Sequence, residues 1–223
     1  MAWMGGRGAR AACLAILCLA GAGTQAAMAV PGQAGTVRAD FVDVRPSDDA
    51  RRVAEWAFDH RDAQGRPVAV VDKKNARIYV FGADGRLRGT TPVLLGLARG
   101  DKSAPGIGEM AGGYIPAGLR TTPAGRFDSE PGHNARGESI VWVDYDAAFA
   151  IHRLRPAPAI EHRPERLNSD TPDDNRISQG CVIVPGGFFD QVVATTLGRE
   201  RGVVYVLPEA EDVSPSLKVA GNP

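Results

Sequence analysis

Charge of either sign is not in excess: 26 lysines and arginines stand against 26 aspartates and glutamates. A balanced chain without a basic stripe has no electrostatic means of gripping nucleic acid, which excludes that class of partner. Long apolar runs are lacking too. The longest, Ala11 to Ala22, is about a dozen residues, too short to cross a bilayer. No histidines or cysteines recur at metal-ligand spacing, and Gly106-Ile107-Gly108 does not open a helix as a phosphate-binding loop would. No metal and no nucleotide cofactor is therefore expected. There is no internal repeat. Cysteine is scarce, with three residues at positions 13, 18 and 181.

What the chain does have begins with an export address. Arg7 and Arg10 precede the short apolar run, and Ala27-Met28-Ala29 follows it as a small-x-small cleavage site. Residues 1–29 are expected to be a signal peptide, leaving no transmembrane anchor after cleavage. The location expected is the periplasm or cell envelope. Removal of Cys13 and Cys18 leaves Cys181 as the one thiol. A lone cysteine in an exported protein is inert, used between chains, or reactive.

Residues 30–66 read as a lead-in with a short helix. Ser47 caps it, Asp48 and Asp49 favour its positive end, and Val53, Trp56 and Ala57 mark an apolar face as far as about His60. From residue 67 the pattern turns to strands: Val68 to Asp72, Ile78 to Gly82 and Leu87 to Leu95, joined by tight turns as an antiparallel meander. Pro92 points to an edge or an irregularity. Ala98 to Leu119 is a long loop rich in glycine and proline, of the kind that borders functional sites. Further strands are expected at Ser139 to Val143, Ala147 to His152, Val182 to Val184 and Val203 to Leu207, with a helix from Phe188 to Leu197. Pro131-Gly132-His133 reads as a turn, and residues 209–223 as a flexible tail. The expected domain, residues 67–208, is mainly β: a mixed β-sandwich with one or two short helices.

Cys181 lies in Arg176-Ile177-Ser178-Gln179-Gly180-Cys181-Val182. Glycine before the sulfur permits a tight turn and a close substrate. A thiol attacks as the thiolate and needs a base nearby. Of His60, His133, His152 and His162, only His152 ends an apolar strand, Phe149-Ala150-Ile151, that would hold its ring in place. Imidazole can take the thiol proton and return it to a leaving amine.

Three pieces, in this order, resemble the L,D-transpeptidase catalytic domain of bacterial cell-wall enzymes. They are Val70-Val71-Asp72 with Arg77-Ile78-Tyr79-Val80-Phe81; Thr122-Pro123-Ala124-Gly125-Arg126-Phe127; and His152 followed downstream by Ser178-Gln179-Gly180-Cys181-Val182. The resemblance spans about Val68 to Leu207 and implies that family's fold. It makes Cys181 the nucleophile, His152 its base and Ser178 a support for the loop. The backbone N–H groups of Gly180 and Cys181 would face the developing oxyanion. It also implies a stem peptide of peptidoglycan as donor and, as acceptor, an amine of a neighbouring stem or of a protein lysine. Two positions depart from the family pattern. Gln179 stands where that family has a second histidine, and Ile183 where it has asparagine or arginine. Gln179 lines the substrate path in this reading, while Arg176 and Arg153 are candidates to meet a substrate carboxylate. A thiol carboxypeptidase or amidase on the same site and a non-catalytic cell-wall-binding relative remain alternatives.

Overall fold

The computed structural model describes residues 37–210 and Asp212; the expected signal peptide, its cleavage site, Cys13, Cys18 and residues 213–223 lie outside them. Helix α1, Asp48–Asp59, begins where expected: Ser47 Oγ accepts the Ala50 N–H at 3.1 Å and donates to Asp72. Its buried face is Ala50, Val53, Ala54, Ala57 and Phe58, with Trp56 only half-buried beside it. The strands are β1 Val68–Asp72, β2 Arg77–Phe81, β3 Leu87–Pro92, β4 Leu95–Gly96, β5 Gly125–His133, β6 Ser139–Asp144 and β7 Phe149–Arg153. A short helix α2, Arg163–Leu167, precedes β8 Arg176–Ser178, β9 Val182–Val184 and β10 Gly202–Val206.

Eight strands form one mixed sheet in the order β3-β2-β1-β10-β5-β6-β7-β9, and β4 pairs separately with β8. The fold is mainly β, as expected. The first three strands are the antiparallel meander, with β3 at the edge and ending on Pro92. Pairs β1–β10 and β7–β9 are parallel.

Alternation along the strands sorts side chains to two faces. On β1, β2 and β10, Ala69, Val71, Ile78, Val80, Val204 and Val206 join the main core, while Val68, Val70, Tyr79, Phe81, Val203 and Tyr205 pack under α1. The lead-in, through α1 and Phe41, thus covers this face of the sheet. The main core also takes Val141, Val143, Phe149, Ile151, Val182 and Val184 from the other half of the sheet. The sheet therefore wraps about one interior, and each fully buried valine or isoleucine contributes ~1.5–3 kcal/mol.

The bend is at β5. Gly125 to Ser129 pair with β10, and Glu130 to His133 pair with β6. Pro131 and Gly132 are inside this strand, not in a turn. Pro131 lies past the last pairing with β10, where a missing N–H is tolerated. Gly132 leaves room for Trp142, whose Cδ1 would lie 2.6 Å from a Cβ there. The expected helix after β9 starts at Gly186 and widens into a π-turn over Phe189–Val193. Thr195 and Thr196 hydroxyls bond back to the Gln191 and Val192 carbonyls there, competing with regular helical pairing. Among the described residues, no helix is long and apolar enough to cross a membrane.

Candidate active site

Strand β7 sends Phe149 and Ile151 inward. Ala150 and His152 consequently project to the outer face. The register sets His152 beside Ile183 of β9; Cys181, two residues before Ile183, projects to the same side. All four line a cavity of about 420 Å³. Of the four histidines, only His152 lines it. His60 stacks on Trp56.

The loop carrying Cys181 is held by two hydroxyls. Ser178 Oγ donates to the Cys181 carbonyl at 2.7 Å and accepts the Gly180 N–H at 3.1 Å. Thr122 Oγ1 donates to the Gly180 carbonyl at 2.7 Å and accepts the Gly96 N–H at 2.8 Å. Gly180 adopts φ +133°, and a Cβ there would lie 3.0 Å from the Thr121 carbonyl oxygen. A side chain would be strained at that position. Because its N–H is already engaged by Ser178, Gly180 is not a free oxyanion donor; its part is to shape the turn. Thr122 is fully buried. In the Thr-Pro-x-Gly element it braces the loop of Cys181 from behind, while Pro123 lines the cavity.

The thiol of Cys181 donates to the Ala148 carbonyl at 3.6 Å. Ala148 sits at φ +48°, a conformation unusual for a residue with a side chain, where the turn after β6 aims its carbonyl at the sulfur. Burial pushes the thiol up, against opposing pulls from the Ala150 backbone and the Arg155 charge. The resting form is a neutral thiol. His152 Nδ1 lies 2.9 Å from the Arg153 carbonyl oxygen. A carbonyl only accepts, so Nδ1 carries the hydrogen and Nε2 is the basic nitrogen. Burial lowers the imidazole to about 4, with Arg155 and Arg163 lowering it further and the Arg153 carbonyl and Glu138 working the other way. Among the described residues, no hydrogen bond joins sulfur and ring. A neutral thiol and a neutral imidazole thus face one cavity, side chains of the types that nucleophilic attack with general-base assistance uses.

The arginines are not those read from the sequence. Arg176 is buried, paired with Glu209 at 2.5 Å and donating to the Lys73 carbonyl at 3.0 Å. Arg153 follows the inward alternation of β7: it lies over the Phe189 ring and pairs with Asp190. Neither lines the cavity. Arg155 and Arg163 do, each with one carboxylate partner, Glu138 and Glu161. Arg155 lies three residues after His152, but β7 ends at Arg153 and strand alternation does not extend to it; Arg163 follows a proline-rich stretch with no pattern to mark it. Gln179 is exposed on the cavity rim, and Ser178 is buried against its wall.

The long loop forms the opposite wall through Ile107 and Ile115, both buried. It carries two short 3₁₀ turns, Ile107–Met110 and Ala117–Leu119. Gly108 packs on the turn after β6, where a Cβ would fall 2.0 Å from the Asp146 carbonyl oxygen. The base of the loop is tied down by Lys73. Its ammonium, fully buried, spends its three hydrogens on the Gly100 carbonyl (2.6 Å), Asp101 (2.7 Å) and the Thr122 carbonyl (2.9 Å). Glu209 completes the cluster, 3.8 Å from Lys73 and accepting the Gly100 N–H. Glu209, expected in the tail, is thus part of the fold. Among the described residues, no three His, Cys, Asp or Glu side chains are grouped to hold a metal ion.

No family model matches the chain, and no curated protein matches it. Solved structures similar to it include the helical cell shape determining protein Pgp2 from Campylobacter jejuni, 17% identical over 66% of this chain and 49% of that one, TM-score 0.42. An L,D-transpeptidase from Mycobacterium smegmatis is 15% identical, over 63% and 58%, TM-score 0.36. The Enterococcus faecium L,D-transpeptidase is 17% identical, over 64% and 50%, TM-score 0.33. The chain spans 49% to 58% of the length of these three structures. Likeness at this level identifies no activity.

Proposed function

We propose that this chain is an exported peptidoglycan L,D-transpeptidase acting in the periplasm or cell envelope, with Cys181 as nucleophile and His152 as base. The observation that carries the reading is the hydrogen bond from Nδ1 of His152 to the Arg153 carbonyl. It leaves Nε2 basic on the face that bears the cavity's one thiol.

In this mechanism Cys181 attacks the carbonyl carbon of the third residue of a stem tetrapeptide while Nε2 takes the thiol proton. The tetrahedral oxyanion forms beside the Cys181 N–H. Collapse breaks the peptide bond, and Nε2 returns the proton to the departing D-alanine amine. The thioester left behind is attacked by an amine of a second stem or of a protein lysine, whose proton passes to Nε2 and then to the sulfur. Two easier acyl transfers replace one difficult one. Arg155 and Arg163 take the place assigned above to Arg153 and Arg176 and meet a substrate carboxylate, the group a guanidinium pairs with best.

Intact-mass measurement tests this. A stem tetrapeptide or a carbapenem should leave a covalent adduct on the mature protein, absent in Cys181→Ser. No adduct at any pH or time would refute it. Adding an amine acceptor should convert the thioester to a cross-linked product; exclusive release of free acid would make the enzyme a hydrolase.

A further inference from the structure

A second cavity, of about 320 Å³, shares Trp142 with the first. That volume is at the lower end for small-molecule sites. Trp142 stands on the outer face of β6, with the ring of Tyr145 at its edge, centroids 5.0 Å apart at 65°. Tyr145 is 71% exposed. Gly132 keeps the opposing strand clear of the indole.

The polar lining is of a particular kind. Arg66 pairs with Asp128 and Arg201 with Glu130, each at 2.8 Å. Asp128 also lies 3.3 Å from Arg126, which Asp62 neutralises in turn; cations and carboxylates therefore balance and give an anionic ligand no net attraction, which disfavours phosphate and nucleotide. A purely apolar ligand would strip water from four charges without replacing it. A neutral, polyhydroxylated ring suits both halves: a flat C–H face for the aromatics, and hydroxyls that donate to the carboxylates and accept from the guanidinium groups.

We propose that this cavity is a saccharide subsite that takes a pyranose ring of the glycan bearing the stem peptide held in the first cavity. The identity of the glycan rests on the transpeptidase reading. The ion pairs fix the four charged groups in place, and the contribution of the subsite is to binding rather than to the chemical step.

The test compares a free stem tetrapeptide with the same peptide on its N-acetylglucosamine–N-acetylmuramic acid disaccharide, following D-alanine release by the full mature chain. The disaccharide should lower KM about tenfold, equivalent to ~1.4 kcal/mol, with kcat unchanged. Tyr145→Ala should abolish that preference and leave turnover of the free peptide intact. Equal KM values for both donors overturn the proposal, as does a preference for a longer peptide over the disaccharide, which would give the cavity to a second stem. If neither donor is turned over, the transpeptidase reading fails, and a separate titration decides the subsite. In Cys181→Ser, a chitooligosaccharide should shift the indole N–H resonance of Trp142, and Tyr145→Ala should remove the shift. No shift at millimolar sugar overturns the subsite.

Discussion

Acid should switch the proposed enzyme off much later than an ordinary histidine would. Burial sets His152 at about 4, against 6.5 for a free imidazole. At pH 5.5 a group at 6.5 is only about 9% neutral, whereas one at 4 is about 97% neutral, a tenfold difference in available base. The same gap governs stability. A depressed pKa favours the neutral ring in the fold, so between 6.5 and about 4 the unfolded chain binds the proton and the folded one does not. His152 therefore contributes stability that is complete above pH 6.5 and is lost as pH falls toward 4, about 3 kcal/mol at most. Part of the ring's surface remains open to the cavity, and water there trims that figure. The assay is the rate of covalent adduct formation on Cys181 by a carbapenem from pH 3.5 to 8, read by intact mass and paired with a titration of the His152 ring protons by NMR. Half-maximal rate near 6.5, with the ring titrating there too, would refute the claim that burial dominates at this site.

Two further outcomes follow from the supports behind the site. Thr122→Val leaves the Gly96 N–H and Gly180 carbonyl without their partner in a fully buried place, at a cost of ~1–3 kcal/mol per group. Adduct formation should slow more than tenfold, with Thr122→Ser restoring most of it; a valine variant as fast as wild type would show that the threonine does not hold the loop. Glu209→Ala strands Arg176 in the interior, while Lys73 keeps Asp101, and breaking a buried pair in this way costs ~3–5 kcal/mol. The urea midpoint should fall accordingly, while an unchanged midpoint would return Glu209 to the tail.

Much was legible in the residues because it is local. β-rich apolar runs bounded by turn residues located β1, β2, β6 and β7, and the Ser47-Asp48-Asp49 start of α1 was readable as a cap and its first turn. The lone thiol in Ser178-Gln179-Gly180-Cys181 and the strand-end His152 singled out the candidate pair. Strand β5 was hidden because Pro131 and Gly132 spell a turn locally, and only the change of partner from β10 to β6, with the indole of Trp142 across the gap, makes them strand residues. The arginines divide for a similar reason. Which guanidinium reaches the cavity depends on strand alternation at Arg153 and on Glu209, far along the chain from Arg176 yet close enough in space to claim it. Tertiary structure alone decided that Lys73 ties down the long loop, that Thr122 braces the loop of Cys181 and that the imidazole is held neutral. Burial and charge pairing belong to the packed chain, and no short stretch of sequence carries them.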